Sequence, residues 1–186
     1  MGKWQRFNYF PVLPLWKDGR RVTGSPEHIA LSRRAAADGM VLLKNENSLL
    51  PLHRGARVAL FGKASVDYIK GGGGSGDVTV AYTRNLCDAI EEKQAQGKLT
   101  CVPALHEFYR EYVSSQFAAG ALWGRLDEPE LPQDLLAQAA READTAIISI
   151  CRFSSEGGDR AAAEGDFYLS AGEKRLVQTV CGAFSK

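Results

Sequence analysis

Residues 145–151 read Thr145-Ala146-Ile147-Ile148-Ser149-Ile150-Cys151, and the next regular stretch opens at Ser170-Ala171-Gly172-Glu173. The first is almost wholly apolar, as a strand covered by helices on both sheet faces should be. The second is a capping box, a hydroxyl N-cap with a glutamate three positions on that can reach back to it. The helix it opens is expected to bury Leu176, Val177, Val180, Cys181 and Phe184. A loop from Arg152 to Leu169 joins the two. Strand, loop and helix in this order form half of a parallel βαβ unit.

Toward the N-terminus the same alternation recurs. A helix is expected over 133–142, with Leu135, Leu136, Ala139 and Ala140 inward. Leu105, Phe108, Tyr109, Tyr112 and Val113 follow the i, i+3, i+4, i+7, i+8 rule of a helix with one apolar face. Before it, Leu99 to Val102 reads as a strand, and a helix around Asn85 to Gln94 turns Leu86, Ala89 and Ile90 to one side. Arg57 to Phe61 is a strand that ends at Gly62. Ser25-Pro26-Glu27 supplies an N-cap, a proline at the first helical position and an acid at the positive end of the dipole. That helix should run to Asp38 and close on Gly39 as a left-handed cap. Met40 to Leu43 then reads as a short buried strand, followed by a turn at 45–48 and Leu49-Leu50-Pro51-Leu52.

Residues 1–24 read as an N-terminal arm whose aromatics would anchor it on another surface. Residues 25–186 read as one α/β domain with a mostly parallel sheet and helices on both faces. The last helix should lead into another strand, and only four strand candidates are in hand. The sheet is therefore expected to be incomplete at its C-terminus, and the chain a fragment.

Lys and Arg number 23 against 22 Asp and Glu, which leaves no basic stripe for nucleic acid. No apolar run has membrane-spanning length, and the first twenty residues lack a signal-peptide core. A cytoplasmic location is the expectation. Cys87, Cys101, Cys151 and Cys181 show no paired spacing and no clustering in sequence with His28, His53 and His106. Free thiols are expected, with Cys151 and Cys181 packed as small hydrophobes, and neither a metal nor a cofactor is implied. The three histidines read as structural or solvated, and the Tyr109/Tyr112 pair as core.

Two loops carry the chemistry. Phe153-Ser154-Ser155-Glu156-Gly157-Gly158-Asp159-Arg160 follows directly on the best strand. In open α/β sheets functional groups gather beyond the carboxyl ends of strands. By chemistry alone Glu156 fits a general acid, a metal ligand or a solvated turn residue. Asp159 and Arg160 would pair with each other or hold a polar ligand. The run Gly71 to Gly76 lacks the Gly-Lys-Ser/Thr ending and the following helix of a phosphate loop. It reads as a loop lining a cleft or as plain surface, with nucleotide binding a distant third.

Four segments in order resemble glycoside hydrolase family 3, in its second, α/β-sandwich domain. They are Ala35 to Asn45 with Leu49-Leu50-Pro51-Leu52, then Val58 to Gly62, then Gly72 to Gly76, and finally Ser155 to Arg160. The resemblance implies a retaining, exo-acting β-glycosidase of the β-glucosidase kind. It implies a nucleophilic Asp on a TIM-barrel domain absent from this chain, and Glu156 as the general acid/base. It also implies that Gly73, Gly74, Ser75 and Gly76, with Asp159 and Arg160, edge the site for an oligosaccharide or β-glycoside. Ser155 stands where many members have glycine. An N-terminal position for this domain resembles the subgroup of reversed domain order. The competing expectation is a non-catalytic carbohydrate-binding or interaction module that keeps the fold.

Overall fold

The computed structural model describes residues 24–69, 74, 82–122, 124–156 and 158–185. The arm expected over 1–24 therefore lies outside them but for its last residue, as do Gly73, Ser75 and Gly76. The chain divides into two compact units, Met1–Ser48 with Val78–Thr83, and Leu49–Asp77 with Arg84–Lys186.

In the first unit, helix α1 spans Pro26–Asp38. The Ser25 hydroxyl accepts from the His28 N–H, as its N-cap position predicts. Gly39 ends it at φ −81°, a right-handed cap rather than the expected left-handed one. Met40, Val41, Leu42 and Leu43 form no strand and are 77%, 77%, 63% and 92% exposed. This corrects the buried strand expected there. An apolar run carries strand propensity, but a strand also requires a partner ladder, which no local pattern supplies.

In the second unit, β1 (Ala56–Phe61) is followed by α2 (Leu86–Ala95), β2 (Leu99–Cys101), α3 (Pro103–Ala118) and α4 (Gln133–Glu142). Then come β3 (Thr145–Ile148) and α5 (Ala171–Ala183). The sheet has the order β2-β1-β3, and both pairings are parallel. Period-two alternation divides its faces. Ala59 and Phe61 of β1 face Leu105 and Tyr109 of α3, Leu136 and Ala139 of α4, and Leu176 and Val180 of α5. Leu60 joins Cys87 and Ile90 of α2 in a separate cluster. Helices thus cover both faces, as the continuous apolar strands require.

The details depart from expectation where a residue sits at the edge of a stripe. Ala89, Ala140 and Cys181 are exposed, and the thiol packed in the core is Cys87. β3 stops at Ile148 rather than Cys151. Ser149 still donates to the Phe61 carbonyl at 2.8 Å. Beyond that point Gly62 leaves the ladder at φ +92°, so close to Ser149 that a Cβ would collide with its carbonyl oxygen.

Candidate active site

The order β2-β1-β3 reverses its direction of growth at β1. The crevice at such a switch point lies beyond the carboxyl ends of the adjoining strands, here β1 and β3. A cleft of about 320 Å³ is found there, lined among others by Lys63 after β1 and by Cys151, Arg152 and Phe153 after β3. Arg125 and Glu128 come from the segment before α4, and Glu173 from α5.

Glu156 stands on the loop after β3. The Gly158 N–H donates to the Ser155 carbonyl at 2.9 Å, which closes a turn with Glu156 at its second position. The Glu156 residue is exposed. The described glycine of the Gly-rich run, Gly74, has φ +70° and lies against it. A Cβ on Gly74 would stand 2.9 Å from the Glu156 Cβ and would collide with its Oε2. Of the Gly-rich run, Gly74 thus lies against the carboxyl of the loop after β3. Asp159 lines the cleft. Arg160 pairs with Asp166 rather than with Asp159: its Nε donates to Asp166 Oδ1 at 2.8 Å and its Nη2 to the Asp166 carbonyl at 2.6 Å. The Asp166 carboxyl, bonded also by the Ala161 N–H and beside that guanidinium, is held below the usual range.

Two groups in the cleft, Glu128 and Arg152, had no role assigned from the sequence. Glu128 lies in the polar run Asp127-Glu128-Pro129-Glu130. In the structure it is 8% exposed and both carboxylate oxygens accept from the Lys63 backbone N–H, at 3.1 and 3.3 Å. Burial pushes its carboxyl up to about 7; the Lys63 N–H and ammonium oppose the rise and Glu173 adds to it. Arg152 forms a bidentate pair with Glu173, Nη1 to Oε1 at 2.5 Å and Nη2 to Oε2 at 2.8 Å, with side chains 17% and 10% exposed. Burial would raise the Glu173 carboxyl, but the Arg152 guanidinium and the Ser170 N–H outweigh it and hold it low. Sequence alone gave Glu173 only its capping role, which it also fills: its Oε2 accepts from the Ser170 N–H at 2.8 Å. Phe153 packs against Gly124 and lies under the Arg125 guanidinium, 5.5 Å from the ring centroid.

Away from the cleft, the structure gathers residues that spacing did not connect. His106, 2% exposed, places Nδ1 3.1 Å from Glu91 Oε1, and Cys87 Sγ donates to the same oxygen at 3.6 Å. The three ligand atoms lie within 4.8 Å of one another. Arg110 Nη2 donates to Glu91 Oε2 at 2.9 Å. The Arg110 guanidinium brings Glu91 down to about 2, and burial first of all pushes the Cys87 thiol up to about 12. A protonated thiol and a carboxylate already neutralised by arginine make a strut between α2 and α3, not a ready cation cage. Tyr109 is core, while the Tyr112 hydroxyl donates to the Asp127 carbonyl at 2.9 Å.

The chain is similar to known proteins over most of its length. The profile of the Glycosyl hydrolase family 3 C-terminal domain matches residues 40–186. Beta-glucosidase A of Butyrivibrio fibrisolvens is 47% identical, over 100% of this chain and 25% of its own length. A beta-glucosidase of Ruminococcus albus is 35% identical, over 86% of this chain and 17% of its own. The solved structure of beta-glucosidase 3B from Thermotoga neapolitana in complex with α-D-glucose superposes with a TM-score of 0.72 at 35% identity. That match covers 85% of this chain and 22% of the other. The chain thus spans a quarter or less of the length of these relatives.

Proposed function

The chain belongs to glycosyl hydrolase family 3, and we propose that the protein it forms part of is a retaining, exo-acting β-glucosidase in which Glu156 is the general acid/base. One observation carries this reading: Glu156 is presented on a turn at the switch point of the sheet, against Gly74 of the Gly-rich loop. The nucleophilic Asp then stands on a TIM-barrel domain elsewhere in the longer polypeptide. Residues 25–186 supply part of an α/β-sandwich domain, and residues 1–24 an arm. Gly73, Gly74, Ser75, Gly76 and Asp159 edge the sugar site, with Arg160 beside them. The proposed compartment is the cytoplasm, in keeping with four free cysteines. Among the described residues no helix is long and apolar enough to cross a membrane.

The chemistry follows from the geometry a retaining enzyme needs. Its two carboxyl groups stand roughly 5–5.5 Å apart across the anomeric carbon. As the Asp attacks that carbon and the glycosidic bond breaks, Glu156 gives its proton to the departing oxygen. In the second step the Glu156 carboxylate takes a proton from water, which attacks the glycosyl-enzyme and restores the β configuration. A glutamate on a turn, rather than on a strand, can close over the mouth of a barrel that carries its partner.

Substitution tests the assignment. In the full-length enzyme, Glu156→Gln should lower kcat/KM on alkyl β-glucosides by about 10²–10⁴-fold, the usual worth of a positioned acid. Dinitrophenyl β-glucoside needs no protonation, so its glycosylation step should be nearly unaffected. Equal turnover of alkyl glucosides by variant and wild type would remove Glu156 from the role.

A further inference from the structure

We propose that Arg152 and Arg160 are positioning residues that stake the Glu156 turn at both ends to one backbone carbonyl, that of Asp166. The proposal rests on the acid/base reading of Glu156 for its catalytic consequence, though not for its geometry. Arg152 lies four positions before Glu156 and Arg160 four positions after it. Arg152 Nε donates to the Asp166 carbonyl at 2.5 Å, and Arg160 Nη2 donates to the same oxygen at 2.6 Å. The stretch from 152 to 160 is thereby closed into a loop whose two feet share one acceptor.

The first foot is anchored to the body of the domain. A guanidinium has five N–H groups in a fixed planar fork. In Arg152 they reach the Asp166, Cys151 and Tyr168 carbonyls, at 2.5, 2.9 and 3.3 Å, and both oxygens of Glu173. One side chain thus joins the end of the strand segment, the far side of the loop and the first turn of α5. The second foot is held by the Asp166 side chain, which accepts from Arg160 Nε and from the Ala161 N–H. The anchor itself is tied back on its own segment. Tyr168 N–H donates to the Ala163 carbonyl at 3.0 Å, and Gly165 N–H to the Tyr168 carbonyl at 2.9 Å.

The reason for so much bonding lies in the position of Glu156. A general acid must stand within hydrogen-bond reach of the departing oxygen. A turn on a long loop has no sheet ladder to fix it there. The two arginines supply the missing restraint. Arg160 then acts through the loop rather than on the sugar, and lysine cannot replace Arg152, since three donors on a flexible stem do not reproduce a planar fork.

The test uses the full-length enzyme with Arg152→Ala, Arg152→Lys and Arg160→Ala. Misplacing a reacting group by about 1 Å can cost about 100-fold in rate. Each variant should lose about that factor in kcat/KM on alkyl β-glucosides and much less on dinitrophenyl β-glucoside. Arg152→Lys should recover little. Hydrogen exchange of the amides in 153–168 should quicken in Arg152→Ala and Arg160→Ala. Arg160, with its side chain 41% exposed, can be removed without emptying a core site if Arg152→Ala fails to fold. Equal losses on both substrates per active site, with a lowered Tm, would show a merely structural role and overturn the proposal. Unchanged exchange across 153–168 would overturn the clamp whatever Glu156→Gln does. Full activity in Glu156→Gln would instead sink the acid/base reading and leave the exchange result to decide the clamp.

Discussion

Glu128 and Glu156 are both glutamates in polar runs, yet the fold treats them differently. Glu156 is exposed on a turn, whereas Glu128 is buried against the Lys63 N–H. Because the Glu128 pKa rises from 4.5 to about 7 on folding, the folded chain holds more protons than the unfolded one between those values. Its contribution therefore favours the fold fully below pH 4.5 and is lost as the pH climbs to about 7. The loss is on the order of 3 kcal/mol. Glu128→Gln keeps an acceptor for Lys63 and removes the charge. The urea midpoint of the variant should rise relative to wild type between pH 5 and pH 8. A gap that stays constant with pH would show that Glu128 ionises as freely in the folded chain as in the unfolded. Nothing in the sequence tells which of these two carboxyls is buried, because burial is decided by chain segments distant from both. The role proposed for Glu156 is drawn from its place after an apolar strand and from the ordered motifs around it. Of the two arginines only Arg160 was singled out in the sequence, within the loop that starts at Phe153, and the partners of Arg152, Asp166 and Glu173, are found only once the loop is folded.

Among the elements, period was the dependable guide. The stripe Leu105, Phe108, Tyr109 gave α3, and the capping box at Ser170 gave the start of α5 at the correct residue. Alternation along Ala59, Leu60 and Phe61 divided the two core clusters. Ends and edges were less legible, because they depend on neighbours. β3 shortens where Gly62 turns away, and Met40 to Leu43 stays exposed though its composition is that of a buried strand. Gly62 couples these elements most tightly. Its φ of +92° already disfavours any side chain, and a Cβ would meet the Ser149 carbonyl. Gly62→Ala should therefore lower the stability of the domain by at least about 1–3 kcal/mol. Chemical denaturation checks this, and a variant as stable as wild type would contradict the close approach of β1 and the segment after β3.

At the scale of the whole molecule, the proposed site is half of a catalytic pair. The switch point between β1 and β3 brings the Glu156 loop, Gly74 and a cleft to the same edge of the sheet. In the proposed mechanism the partner nucleophile lies outside this chain, which covers 25% of the length of the Butyrivibrio relative. The α/β class could be read from alternating strands and helices, and the family from motif order. The clamp on the Glu156 loop, the buried Glu128 and the Cys87–Glu91–His106 strut could not, since each joins residues from separate elements. The role assigned to Glu156 is tested most directly by azide rescue. With Glu156→Ala in the full-length enzyme and dinitrophenyl β-glucoside as substrate, added azide should enter the vacated space, attack the glycosyl-enzyme and restore turnover. The product should be β-glucosyl azide, formed with net retention. An α-glucosyl azide would make Glu156 the nucleophile, and hydrolysis unaffected by both the substitution and the azide would remove it from the chemistry altogether.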